Sequence, residues 1–192
     1  MNSDNRIDAH YDAIMKTMLK GYEAKDYSLK DVLDLVKPGS YVLSAGCGAG
    51  REVAYLVRTL KCKVVAIDID EEAVELSKDK TPDAEHIVGD MTNMKFKKKF
   101  DYIVCLWNTI NYLKREDRKI FIETCYDNLK EGGELILTTT HIFTHWRLLL
   151  SNIKHGKNFH PYPWEIDQWF KDTKFRITKG KMNNDILIRA RK

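Results

Sequence analysis

The chain reads as an α/β protein with a mostly parallel sheet, and three observations carry that reading. From Tyr41 to Thr140, short apolar or β-branched runs alternate with amphipathic stretches of helical spacing. Two of the runs, VVAI and YIVCLW, are apolar throughout, as strands covered on both faces are. Glycines stand at turns between the two kinds of segment.

The elements follow in order. Ala9 to Tyr22 has helical spacing, with Ile14, Met15, Met18 and Leu19 on one face. Ser28 opens a second short helix, Asp31 makes a capping-box variant, and Val32, Leu35 and Val36 form its apolar side. Lys37-Pro38-Gly39 ends it. Tyr41 to Ser44 is the first strand, and Arg51 to Leu60 a helix with Val53, Ala54, Leu56 and Val57 apolar. Lys63 to Ile67 is the second strand, and Glu71 to Ser77 a helix with acids in its first turn, where the helix dipole favours them. Ile87 and Val88 end a short third strand, and Asp101 to Trp107 is a fourth. Glu116 to Leu129 is a long helix closed by Glu131-Gly132-Gly133, and Glu134 to Thr140 is the fifth strand.

The tail differs. His145 to Ile153 reads as an extra helix, with Trp146, Leu149, Leu150 and Ile153 at helical spacing. A Pro- and aromatic-rich loop runs from Asn158 to Trp164, and Trp164 to Lys171 is helical. Phe175 to Thr178 and Asp185 to Ala190 form an antiparallel strand pair around Gly180, bringing the sheet to seven strands. Right-handed crossovers place helices on both faces. We expect one domain over 1–192: N-terminal helices over 1–40, a ligand-binding core over 41–140, an insertion and helix over 141–174, and the strand pair over 175–192.

The 192 residues suffice for one sizeable core, and 43% hydrophobic with 31% charged residues is ordinary for a globular protein. A net charge of +4, mixed along the chain, argues against a nucleic-acid partner. The basic run Lys95, Lys97, Lys98 and Lys99 around Phe96 reads as a solvated turn. Cys47, Cys62, Cys105 and Cys125 have irregular spacing and no C-x-x-C pair, so buried thiols are expected rather than zinc ligands or disulfides. The polar start has no apolar signal region, and no apolar run reaches the roughly 18 residues of a membrane span. A cytoplasmic protein without a membrane partner is the expectation.

Val42-Leu43-Ser44-Ala45-Gly46-Cys47-Gly48-Ala49-Gly50 is the strongest local signal, placed between a strand and a helix. Glycines let the chain turn sharply and a ligand approach the backbone, and the open amides of the next helix favour an anionic group. The same run also serves as a plain tight connection. Asp68 raises the ligand reading: it ends the next strand about 20 residues on, where an acid binds ribose hydroxyls. The competing role for Asp68 is an N-cap, for which Asp70 is better placed. After the third strand, Asp90 can accept from an adenine amino group while Met91 packs on the ring. Three such features at successive strand ends describe one nucleoside-shaped ligand.

On these residues the chain resembles the class I S-adenosylmethionine-dependent methyltransferase superfamily, of the small-molecule type with a methyltransferase domain like types 11 and 25. Ala45-Gly46-Cys47-Gly48-Ala49-Gly50 is similar to the glycine loop near the methionine part, Asp68 to the ribose acid, and Asp90-Met91 to the adenine pair. Phe100 to Val104 resembles the start of the fourth strand, and Leu129-Lys130-Glu131-Gly132-Gly133 the L-x-x-G-G turn into the fifth. The resemblance implies a Rossmann-like fold and S-adenosylmethionine as cofactor, held by Ala45, Gly46, Cys47, Gly48, Asp68, Ile69, Asp90, Met91 and Leu106. One departure stands out: the family usually has an acid where this chain has Ser44, and another acid could reach in from elsewhere. A nicotinamide enzyme would want a third glycine at Arg51, a poor residue for close helix–strand packing.

Past the fourth strand, Leu106-Trp107-Asn108-Thr109-Ile110-Asn111-Tyr112-Leu113 lacks the [DN]-P-P-[YFW] motif of enzymes acting on exocyclic base amines. It resembles the ending of small-molecule N- and O-methyltransferases. Asn108, Asn111 and Tyr112 can face an acceptor, whereas core packing is the other role for Trp107 and Tyr112. An aromatic face suits a sulfonium, for which Tyr11 and Trp107 are candidates. His141 is the candidate catalytic base and His145 a second, although a surface or capping role is the commoner use of such a histidine. The extra helix and the loop Phe159-His160-Pro161-Tyr162-Pro163-Trp164 read either as a flank of the sheet or as a lid. Three functions follow: an enzyme methylating N or O of a small molecule, one acting on RNA or protein, or a non-catalytic module that binds the cofactor.

Overall fold

The computed structural model describes residues 27–140, 160–182 and 185–192. The expected helix over Ala9 to Tyr22, Tyr11, His141, His145, the helix from His145 to Ile153, and Phe159 lie outside the described residues.

Seven strands form one sheet: β1 (Tyr41–Ala45), β2 (Lys63–Asp68), β3 (Glu85–Val88), β4 (Phe100–Cys105), β5 (Leu129–Thr139), β6 (Arg176–Met182) and β7 (Asp185–Arg191). Their order is β3-β2-β1-β4-β5-β7-β6. β1 to β5 are parallel, and β7 runs antiparallel to both β5 and β6. The order reverses between β1 and β4, which opens a crevice at their carboxyl ends. Because β7 runs backwards, its first residue, Asp185, lies at that same edge: Ile186 next to it pairs with Thr139, the last residue of β5.

The period of two along each strand decides which side chains meet which helices. Leu43, Ala45, Ile103, Cys105, Leu135 and Leu137 face one layer. There they meet Phe121, Ile122 and Cys125 of α4 (Arg115–Asn128) and Ile166 and Trp169 of α5 (Pro163–Trp169). Val42, Val64, Ala66, Val104 and Ile136 face the other. They pack with Val32 and Leu33 of α1 (Tyr27–Leu33), Val53 and Leu56 of α2 (Arg51–Arg58), and Val74 of α3 (Glu71–Lys80). Asp70 caps α3 by accepting from the amides of Glu72 and Ala73, leaving Asp68 free of that duty.

Three boundaries differ from expectation. β4 stops at Cys105, short of Trp107, because Trp107 and Asn108 both take the left-handed conformation (φ 60°) and leave the pleat. β5 starts at Leu129, where a closing turn was expected. Leu129 pairs with Phe100, and Lys192 exchanges backbone bonds with Gly132 and Gly133, so the Gly-Gly segment is held within the sheet as an irregularity. The turn of the C-terminal hairpin was expected around Gly180. Pairing instead continues through Gly180↔Leu187 to Met182↔Asp185, so Gly180 lies inside β6.

All four cysteines are free and buried. Among the described residues, no group of three or more His, Cys, Asp or Glu side chains could hold a metal. Among them, too, no helix is long and apolar enough to cross a membrane.

Candidate active site at the strand tips

The glycine loop is anchored to β2. The amides of Gly46 and Cys47 both donate to Ile67 O (2.8 and 3.1 Å), and Gly48 N donates to Asp68 Oδ2 (2.7 Å). Gly46 (φ 73°) has Thr109 so close that an added Cβ would lie 3.3 Å from Thr109 Cβ and overlap its methyl group. A Cβ on Gly50 (φ 77°) would stand 2.9 Å from Ser77 Cα in α3. The loop is therefore clamped between the 3₁₀ turn after β4 (Thr109–Tyr112) and α3. Gly50 is the N-cap of α2 and has no side chain to bond its amides, while the Glu52 carboxylate accepts from its own amide in the first turn.

Asp68 is 7% exposed, and its other oxygen accepts from Asp70 N (3.1 Å). Burial pushes its carboxyl up, against the hydrogen bonds from Gly48 and Asp70. Beside it Ile69 is 72% exposed, an apolar side chain held in solvent at the carboxyl edge of the sheet. Asp90 is exposed and uses Oδ1 for Thr92 N and Oγ1 (2.8 and 2.7 Å). Met91 packs into the core with Met94 and Ile67. Ala45 and Cys47 are buried, and Leu106 sits in the α2-side core near Val53 and Leu56. Burial, then Glu52 and Asp68, raises the Cys47 thiol, so it is a neutral group rather than a nucleophile.

Two acids at this edge were missed by sequence reasoning. Glu52 lies buried below the loop and accepts from the Ser44 hydroxyl (2.8 Å). Its signal was present: Ser44 shares its strand face with Val42, which packs on α2, and Glu52 is an acid in the first turn of α2. Burial pushes its carboxyl up to about 7, with Asp68 adding repulsion, while its own amide, Ser44 and Arg51 favour the charged form. Asp185, at the head of β7, accepts from Asn108 Nδ2 (3.4 Å). Its signal was the reversed direction of the last strand, which brings its start to the carboxyl edge.

Beyond β4, the Arg51 guanidinium covers one face of Trp107 at 4.3 Å, so that face is not open to a sulfonium. Trp107 Nε1 and Asn108 Oδ1 are buried without a hydrogen-bond partner. Asn111 is spent on the fold: Oδ1 accepts from Thr139 Oγ1 (2.7 Å) and Nδ2 donates to Thr140 O (3.4 Å). Tyr112 is exposed. His160 Nδ1 lies 3.5 Å from Thr140 Oγ1, and burial with the nearby Arg118 charge lowers its pKa, which favours a neutral imidazole. Arg118 is itself buried, donates to Asn111 O (3.1 Å) and lies near Glu165, which also pairs with Arg115. Lys95, Lys97, Lys98 and Lys99 are exposed in the loop before β4, with Lys98 over the Tyr41 ring.

A parallel sheet with a reversed seventh strand and a glycine loop bonded to an acid at the next strand's tip define a Rossmann-like α/β domain. Residues 42–133 match the family described as a methyltransferase domain. Over that stretch, just under half of its length, the chain is similar to the class I S-adenosylmethionine-dependent methyltransferase superfamily.

Over 145 residues it is 26% identical to a carboxy-S-adenosyl-L-methionine synthase of Shewanella sp. (strain ANA-3), a match that takes in 70% of this chain and 59% of that relative. The chain thus spans about three-fifths of that relative's length. A TehB-like S-adenosylmethionine-dependent methyltransferase from Corynebacterium glutamicum has the same fold, with a TM-score of 0.75, 17% identity and coverage of 96% of this chain and 98% of that one. An S-adenosylmethionine-bound amino pentose methyltransferase from Micromonospora echinaspora gives a TM-score of 0.70 at 12% identity, covering 93% and 97%.

Proposed function

We propose that the protein transfers a methyl group from S-adenosylmethionine to a nitrogen or oxygen of a small molecule. The observation that carries this reading is the Asp68–Gly48 hydrogen bond, which ties a diol-binding carboxylate to the glycine loop in one rigid unit. The residues suit the cofactor. Asp68 retains lone pairs for ribose hydroxyls, Ile69 offers an exposed apolar face to adenine, and the positive end of the α2 dipole favours a carboxylate. Ala45, Gly46, Cys47 and Gly48 would line the methionine part, with Asp90, Met91 and Leu106 at its margins. When bound, the cofactor supplies a methyl group on a positively charged sulfur, an already activated leaving group.

The protein's own task is then alignment and exclusion of water. The β4 tip, the end of β5 and the head of β7 lie on the far side of the glycine loop from Asp68 and Asp90, and this is where an acceptor would sit. His160, beside Thr140, joins His141 as a candidate base, needed only for an acceptor protonated at attack. The amino pentose methyltransferase among the similar folds acts on a small molecule, which agrees with this reading. A cytoplasmic location and a single domain over 1–192 accompany it.

Calorimetry with S-adenosylhomocysteine, followed by transfer of labelled methyl to pools of small amines and alcohols, to total RNA and to protein, tests the proposal. Label in the small-molecule pool supports it. Label in RNA or protein alone, or cofactor binding without transfer, favours the other two functions. The 26% identity to carboxy-S-adenosyl-L-methionine synthase favours one further reading, in which the cofactor is modified rather than spent. Mass spectrometry of the recovered cofactor separates the two.

A further inference from the structure

We propose that Asn108 and Asp185, at the tip of β4 and the head of β7, form a seat for the protonated amine of a small-molecule acceptor. The proposal rests on the methyl-transfer reading and narrows the acceptor to molecules that carry an amine, which the seat anchors as the ammonium; were that same nitrogen the methylated atom, its proton would first pass to a base such as the Asp185 carboxylate, freeing the lone pair that attacks.

Sheet order gives the location. Asp90, Asp68 and the glycine loop follow β3, β2 and β1, and together they occupy one half of the edge. The other half begins at β4, where Gly46 and Thr109 touch and bring the loop against the residue after Asn108. Asp185 comes to this half from the opposite chain direction, 77 residues beyond Asn108.

Chemistry gives the ligand class. Asn108 donates its amide N–H to Asp185 (3.4 Å), and that bond fixes which end of the amide is oxygen. Asn108 Oδ1 is left buried with no partner, a costly state for an acceptor. The Asp185 carboxylate is half-buried, and among the described residues no Lys or Arg is in ion-pair range of it. Burial raises its pKa and Asn108 opposes the rise, so the carboxylate gains from a cation that replaces lost water. Two acceptors beside one another call for a group with several N–H donors, which an ammonium has and a hydroxyl lacks. The backbone gives independent support. Trp107 and Asn108 are consecutive non-glycine residues at φ 60°, a strain that tertiary structure sustains at sites where a side chain must be aimed. The Arg51 guanidinium lies on the Trp107 ring, and the groups acting on the Asp185 carboxyl are its burial and Asn108, with no contribution from Arg51.

The test uses the full chain and three probes of one shape: benzylamine, benzyl alcohol and benzoate. Binding is followed by NMR titration with and without S-adenosylhomocysteine. Benzylamine should bind about tenfold more tightly than benzyl alcohol and move the Asn108 side-chain amide signals, with benzoate weakest. Asp185→Asn should erase the preference for the amine while leaving benzyl alcohol unchanged. Asn108→Gly relieves the left-handed strain, so it keeps the fold, and should lower benzylamine affinity several-fold. Equal binding of amine and alcohol by the wild-type chain overturns the proposal, as does an amine preference that survives Asp185→Asn. Absence of S-adenosylhomocysteine binding with an intact amine preference would instead remove the methyltransferase reading and leave the amine seat standing.

Discussion

The Ser44 hydroxyl donates a hydrogen bond to Glu52 Oε1 at 2.8 Å, with both residues buried beneath the glycine loop. The resemblance to the methyltransferase superfamily implies an acid on the strand at the Ser44 position. Here the strand supplies a hydroxyl, and the acid arrives from the first turn of α2. The loop thus keeps a carboxylate beneath it by a different route.

This carboxylate makes stability depend on pH. Burial lifts its pKa to about 7, from an ordinary value of 4.5. The folded chain holds the proton more tightly than the unfolded one, so the contribution of Glu52 is most favourable in acid. It declines as pH rises past 4.5 and levels off above about 7. The decline amounts to roughly 3 kcal/mol. Urea unfolding at acid and at alkaline pH should show that loss in the wild-type chain and little of it in Glu52→Gln. An equal loss in both would assign it to other groups.

Asp68→Ala removes the acceptors for Gly48 N and Asp70 N together with those offered to the ribose. Affinity for S-adenosylhomocysteine should fall by about 10- to 100-fold, the cost of losing charged hydrogen bonds. Calorimetry on the wild-type chain and the variant measures this, and unchanged affinity would refute the role.

Gly46→Ala meets two obstacles: a left-handed backbone (φ 73°) and the Thr109 side chain. We expect a loss of about 1–3 kcal/mol. Adding Thr109→Ala should recover part of it, because the overlap with the methyl group goes and the backbone strain stays. Thermal unfolding of both single variants and the double variant checks this, and full recovery would mean that the backbone is unstrained.

Asn128 fastens the β3–β4 loop to α4. Its oxygen accepts from Phe96 N (3.1 Å), and its amide donates to Met94 O (3.0 Å) and Thr124 O (2.9 Å). Asn128→Leu leaves these buried groups unpaired and should cost about 2–4 kcal/mol in urea unfolding. A neutral result would show that water replaces the amide without loss.

The order of the elements, the parallel sheet, and the glycine loop and Asp68 at successive strand ends were legible because they depend on local patterning. The unbroken apolar run VVAI, a turn at Gly46 and a cap at Asp70 are each set by residues close in the chain. Boundaries failed where distant partners intervened. Leu129 became strand by pairing with Phe100, and Gly180 by pairing with Leu187.

By itself the sequence determined the fold class and set the glycine loop and Asp68 at the carboxyl ends of neighbouring strands. Only the tertiary structure decided that Glu52 lies under Ser44, that Arg51 covers Trp107, and that Asp185 meets Asn108 across 77 residues. The reason is physical. Hydrophobic period and turn chemistry act over a few residues, whereas the environment of a buried charge is set by whichever strands the sheet order brings together.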